Sequence, residues 1–355
     1  MNSRNSLSHQ SDVFRQLRLP LIVLVTYAHS YGAVAEDYHL LTSDWNTYEF
    51  LKLLVSQTLV KVAVPVFFIL SGYLFFANVK EWNLQVYRRK LLRRVRTLLV
   101  PYLFWNMLMA FKLSPNLQSF NPSLFWNYIV NAGCQTDWFG NEHLLTAPVN
   151  MPLWFLRDLM VVSVLTPIIY VAVRRLGLWL MLPLTVLYLS GICPFIPGLS
   201  AYAVYFFTFG AFLSIRHMPL LDALQRVEIP AYVLSLVFAV AMMLTYHTVV
   251  FSSLMLAFRL TGAVAVFCLA SRSISRFKCC LPESVCASSY FVYLAHYVFF
   301  FSFVDAAFLS LLGSSTLSLS LHYLLSPLLK AIIFVGLYLC YIRLKHQSLF
   351  TLTIY

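Results

Sequence analysis

Near the start of the chain a titratable ring and two fixed charges fall on one stripe of an apolar stretch, FRQLRLPLIVLVTYAH, residues 14–29. On a helix the eleven steps from Arg18 to His29 rise roughly 16 Å and turn about 1100°, three turns plus roughly 20°, so both side chains point the same way. Arg15, three positions before Arg18, joins the stripe. An ionisable group halfway into a hydrocarbon core is costly, and its default interpretation is functional. The competing reading makes both arginines cytoplasmic anchors and His29 a polar residue hydrogen-bonded between helices. A second histidine, His296 in SSYFVYLAHYVFF, residues 288–300, is also expected near mid-depth. Two such rings in different helices imply a shared polar cavity.

The densest charge run, YRRKLLRRVRTLLVPYLFW at 87–105, suggests anion binding. Lys90, Arg93 and Arg96 recur every three residues, a ladder that can hold phosphates through charge-assisted hydrogen bonds and suits a polyphosphate better than a single carboxylate. Anchoring at an anionic leaflet is the competing role. Further along, Arg157 and Asp158 are adjacent in MPLWFLRDLM, 151–160. Neighbours on a helix point about 100° apart, so they are expected not to pair, which leaves Arg157 to face a cavity or to snorkel. Ser71-Gly72, in VAVPVFFILSGYLFF at 62–76, reads as a small-residue packing notch after a kink at Pro65. Asp158, Ser71 and His296 are the cavity candidates. Arg259, Asp305 and Lys330 are further charges inside apolar stretches, whereas His247 and His322 fall near outer ends, where a water-facing histidine needs no role.

The elements that must carry these residues follow from composition. Of 355 residues 60% are hydrophobic, 16% aromatic and only 11% charged, with a mean hydropathy of +0.77, which excludes a soluble globular domain. The expected fold is an all-α polytopic membrane helix bundle forming a single domain over 1–355, with no appended soluble domain. Ten spans are expected, near 14–34, 50–77, 97–113, 154–173, 177–194, 200–215, 228–248, 253–271, 287–312 and 319–342. The first is too long and too poorly flanked for a cleaved signal peptide. Residues 1–12 read as frayed, with Ser11 or Asp12 capping the first helix.

The net charge of +12 is distributed as membrane topology requires, and not as nucleic-acid binding would. With ten spans, nearly all Lys and Arg fall on the side of both termini, including the basic loop 78–96, and the opposite loops carry Glu36, Asp37, Asp44, Asp137 and Glu142. The positive-inside rule makes that basic side, and both termini, cytoplasmic. The long segment 114–153 then lies outside, and 124–130 reads as an interfacial helix with aromatic anchors. Seven cysteines show no metal-ligand or CxxC spacing, so no metal is expected; Cys134 and Cys193, both expected outside, leave a disulfide open. No GxxxxGK loop, GxSxG elbow or internal repeat is present.

In order along the chain, several of these pieces resemble the acyltransferase 3 family of bacterial integral-membrane O-acyltransferases. They are Arg18 and His29 at the family's spacing, VPVFFILSGYLF at 64–75, Arg93-x-x-Arg96 leading to Pro101-Tyr102, LWFLRDL at 153–159 and SYFVYLAH at 289–296. The resemblance covers nearly the whole chain. It implies a multi-pass protein of the bacterial inner membrane that takes an acyl group, acetyl as the family prior, from cytoplasmic acyl-CoA. The acceptor would be a hydroxyl of an extracytoplasmic or lipid-linked glycan. The partners implied are membrane lipid, acyl-CoA and the glycan, with no permanently bound cofactor. Arg93 and Arg96, with Arg88 and Lys90 beside them, would grip the CoA phosphates. His29 would be the general base, and Arg18 or Arg157 would stabilise the oxyanion. A covalent acyl-histidine is an open second route. Two other readings stand beside this one: a polysaccharide or glycolipid exporter that makes no bond, and a scaffold subunit that keeps the fold without the chemistry.

Overall fold

A computed structural model describes residues 3–30, 33–79, 81–113, 135–136, 142–143, 147–191, 198–278, 280–299 and 302–352. Apart from one two-residue bridge, in which Gln135–Thr136 pairs antiparallel with Glu142–His143, the regular structure there is helical. Most of 114–146, with Cys134 and the segment 124–130, lies outside the described residues, as does Cys193. Among the described residues three helices, Thr47–Phe76, Val249–Phe277 and Thr316–Lys345, are long and apolar enough to cross a membrane. A fourth crossing is reached if Met151–Val164 and Thr166–Leu176, bent by 63°, count as one. The shorter apolar helices are Leu178–Ser190, Ala201–Ile215, Glu228–Leu244 and Phe303–Leu312. Thirteen residues rise about 20 Å, less than a hydrocarbon core of roughly 30 Å, so length alone does not make spans of these. Their surfaces are nevertheless apolar outward: Ile229, Val233, Leu236, Val237, Val240 and Leu244 are all exposed on one helix. A face of that kind suits lipid rather than water.

Three boundaries differ from expectation. The first helix begins at Ser3, so Asp12 lies inside it and pairs with Arg15 at 2.7 Å instead of capping. His9, bonded to Ser271 at 2.9 Å, holds this extension down. The fourth span bends after Val164, next to Pro167, which cannot donate to the helical ladder. The stretch 287–312 is not one helix: Ser289–Ala295 ends at His296, a turn follows, and helix resumes at Ser302–Leu312.

The described residues form two compact units, Met1–Val60 with Ala270–Tyr355, and Lys61–Leu269. In the first unit the N-terminal helix is tied to its neighbours by polar bonds between apolar surfaces. Gln16 exchanges two bonds with the Leu281 backbone, at 3.0 and 2.8 Å. Tyr27 donates to the Leu324 carbonyl at 2.5 Å, and Ser56 lies 2.7 Å from the Tyr323 hydroxyl while donating to the Tyr27 carbonyl at 3.0 Å. Ser56 sits in a π-helical stretch, Lys52–Thr58, whose wider turn brings successive polar residues inward.

In the second unit the closest helix contact is between Ala63–Phe76 and Ala201–Ile215. A Cβ on Gly72 would strike the Phe207 carbonyl, and one on Gly210 would strike the Ile69 carbonyl. The two glycines thus form reciprocal halves of one notch, and only a hydrogen fits at either. Aromatic rings fill the next layer: Tyr170 stacks on Phe76 and Trp82 with centroids 6.0 and 5.3 Å away, and those two rings tilt against each other at 4.9 Å.

Candidate active site

His29 lies at the end of the first helix, two residues past the Tyr27 tether. Its ring centroid is 5.6 Å from that of His296 and 5.7 Å from that of Tyr297. His296 is 8% exposed, and its Nδ1 is 2.7 Å from the Tyr293 carbonyl. A carbonyl only accepts, so Nδ1 carries the proton and Nε2 keeps a bare lone pair. That Nε2 is buried without a hydrogen-bond partner among the described residues. The break in the helix at His296 fits this setting, because irregular backbone at membrane depth is tolerated only inside protein or along a cavity.

The loop that follows His29 is held by a buried pair that the sequence reading passed over. Lys52 and Glu49 lie 2.7 Å apart; Glu49 accepts from the Ala35 amide at 2.9 Å and Lys52 donates to the Ala33 carbonyl at 3.0 Å. Their i, i+3 spacing was readable, but not that loop amides would complete the network. Arg18 is exposed, close to the Cys286 thiol, and about 16 Å along the helix from His29. Arg15 is taken up by Asp12 at 2.7 Å, with Glu283 at 3.8 Å.

A second polar cluster in this unit overturns the reading of His322. It is 7% exposed, and its Nε2 is 3.0 Å from Asp305. Ser326 and Lys330 also donate to Asp305, at 2.6 and 2.7 Å. His322, Ser326 and Lys330 recur every four residues on the C-terminal helix, so one helix face converges on one carboxylate. Four residues per step was legible; the partner on Ser302–Leu312 was not.

In the second unit the basic residues ride on Leu84–Arg94, capped by Asn83 Oδ1 accepting from the Val86 amide at 2.9 Å. Arg88, Arg93 and Arg96 are exposed. Lys90 and Arg94 instead lie over the Phe75 ring, 5.3 and 5.6 Å from its centroid. Burial, and then the charges of Arg94 and Arg93, pull the Lys90 amine below its usual range. Arg96 falls in a π-helical turn, Val95–Leu99, so the expected ladder is not a straight stripe. Tyr87, donating to the Val164 carbonyl at 3.1 Å, holds this helix in place.

Arg157 and Asp158 do pair, contrary to expectation. The guanidinium curls back so that Nε and Nη2 reach the same Asp158 oxygen, at 3.2 and 3.1 Å. The backbone directions diverge, but the arginine side chain is long enough to return, and burial of both groups, at 8% and 1%, favours the contact. The other Asp158 oxygen accepts from the Ser200 amide at 3.4 Å, and Ser200 caps Ala201–Ile215. Tyr102, 3% exposed, lies within the field of the same pair. Nearby, Asn106 accepts from the Asn150 amide at 3.1 Å. Ser71, one residue before Gly72, is half-buried. Among the described residues no cluster of three His, Cys, Asp or Glu could hold a metal ion.

Polar groups set this deep in apolar helices accompany a match that decides the family. The acyltransferase-3 family model, described as an acyltransferase domain, matches residues 14–343. The chain belongs to that family. The acyltransferase is also similar to the succinoglycan biosynthesis protein ExoH of Rhizobium meliloti (strain 1021), 29% identical over 160 residues. That alignment covers 44% of the acyltransferase and 40% of ExoH, so the chain spans well under half the length of this curated relative. No solved structure matches the acyltransferase.

Proposed function

We propose that this protein is a multi-pass O-acyltransferase of a bacterial inner membrane, moving an acyl group, in the first instance acetyl, from cytoplasmic acyl-CoA to a glycan hydroxyl. The observation that carries the reading is the acyltransferase-3 match over 14–343, which takes in every candidate site residue. The relative's printed role in succinoglycan biosynthesis supports a polysaccharide or its lipid-linked precursor as acceptor. Ten crossings with both termini cytoplasmic suit the charge distribution, and they put the basic helix Leu84–Arg94 on the side where acyl-CoA is found.

Donor binding falls to that helix. Arg88, Arg93 and Arg96, exposed, and Lys90 would meet the CoA phosphates by charge-assisted hydrogen bonds. Proton transfer falls to the histidine pair. His29 would accept the proton of the acceptor hydroxyl as its oxygen attacks the thioester carbonyl; the tetrahedral intermediate then collapses, the C–S bond breaks, and the CoA thiolate takes the proton back. The bare Nε2 of His296, beside that ring, would accept a hydrogen bond from the imidazolium and hold it in place. Arg157, fixed by Asp158, is the candidate oxyanion donor. Arg18, about 16 Å from His29, would bear on the passing donor arm rather than on the reacting carbonyl.

The test is thermal stability of the purified protein with acetyl-CoA, for wild type and for Arg93→Ala/Arg96→Ala. A ligand that binds the folded state must raise the melting temperature by mass action. A rise in wild type that is lost in the double variant is expected. No rise with acetyl-CoA, longer acyl-CoAs or free CoA would reject the donor.

A further inference from the structure

Two basic side chains on neighbouring helices of the unit Lys61–Leu269, one buried and one half-buried, have been given no role above. Lys61, 9% exposed, is midway along Thr47–Phe76, and Arg259 is ten residues into Val249–Phe277. The helices approach closely here: a Cβ on Gly262, one turn beyond Arg259, would lie 2.6 Å from the side chain of Val62, the residue after Lys61. The Arg259 charge is felt at the Lys61 head group. The guanidinium lies 4.8 Å from the Tyr202 ring centroid and near the Tyr188 hydroxyl, which donates to the Leu256 carbonyl at 3.4 Å. Tyr188 stacks flat on Tyr205 at 4.8 Å, and the Tyr205 hydroxyl is 3.0 Å from Thr185 Oγ1.

Arg259 forms no ion pair among the described residues, and its Nε is buried there without a hydrogen-bond partner. The Tyr202 ring engages the face of the guanidinium and leaves its N–H edge to be satisfied. Intramembrane basic side chains mark binding paths by default. A guanidinium fork beside a compact lysine head group offers a fixed positive charge and several donors. That is more than one carboxylate can use, and it matches a phosphoryl group with three or more acceptor oxygens.

We infer that Lys61 and Arg259 form a phosphoryl-binding site between these helices. The inference goes beyond the acyl-transfer reading and stands if that reading fails. The phosphoryl group has two sources, one carried on a lipid and one in a soluble polyphosphate, and the experiment separates them.

The full-length protein in detergent is titrated with farnesyl phosphate, farnesol and inorganic pyrophosphate, following the melting temperature. Farnesyl phosphate or pyrophosphate raises it in wild type and farnesol does not. Lys61→Gln and Arg259→Gln each weaken that effect at least tenfold, and Arg174→Gln, an exposed arginine resting on Tyr170, leaves it within threefold. A rise with farnesyl phosphate alone assigns a lipid-borne phosphate; one with pyrophosphate too assigns a soluble one. Should a glutamine variant fail to fold, Arg259→Lys keeps the charge and removes Nε and the fork, and at least threefold weaker binding is expected. The site is rejected if neither anion stabilises wild type, if the effect is unchanged in both glutamine variants, or if Arg259→Lys binds as wild type does.

Discussion

The rings of His29 and His296 lie 5.6 Å apart in one compact unit, although 267 positions separate them in the chain. One has a proton location set by a backbone carbonyl, and the other closes the first helix. His29→Ala is expected to lower transfer by about 10²- to 10⁴-fold, the usual contribution of a general base, with a normal melting temperature. His296→Ala removes only a hydrogen bond to a transiently charged ring, about 1.5–3 kcal/mol or roughly 10- to 100-fold in kcat. Single-turnover acylation with a soluble glycan acceptor separates the two, and full activity in His29→Ala would remove the base assignment.

Lys90, if it meets the donor phosphates as proposed, should make donor affinity depend on pH. Its amine sits below its usual range in the free protein because of burial and the neighbouring Arg94 and Arg93. A bound phosphate would raise it again, so the complex holds the proton more tightly than the free protein. Affinity for CoA should therefore be present in full at lower pH and be lost as pH rises through the free and then the bound value. Lys90→Arg, which does not titrate, should flatten that alkaline loss. Equal slopes for the two proteins, measured by calorimetry, would take Lys90 out of the donor site.

The Gly72–Gly210 crossing admits no side chain on either helix, since each Cβ would meet a backbone carbonyl that cannot rotate away. Gly72→Val or Gly210→Val should destabilise by about 3 kcal/mol, the upper part of the overpacking range. Combining them should not add fully, because both push the same pair of helices apart. Chemical unfolding in mild detergent reads this directly.

Asp305 collects three donors, and one of them, Lys330, is 6% exposed. Removing the carboxylate leaves that ammonium buried without its counter-charge, so Asp305→Ala should cost about 3–5 kcal/mol. Asp305→Ala/Lys330→Met removes both charges and should recover most of the loss. A double variant no better than the single one would show that His322 and Ser326, not the ion pair, carry the contribution.

Composition and charge order alone determined that the chain is helical and membrane-embedded, and the spaced motifs in it determined the family. Those features are local: an apolar run, an i, i+3 basic ladder and a histidine eleven residues from an arginine are set by neighbours in the chain. The Ser71-Gly72 notch was legible for the same reason, but not its reciprocal half at Gly210. Tertiary structure decided which charges are occupied. Whether Arg157 turns back to Asp158, whether His322 faces water or Asp305, and whether Lys90 rests on Phe75 all depend on groups from distant segments. It also decided where helices break, as at His296, since an interrupted ladder persists only where surrounding protein meets its polar groups.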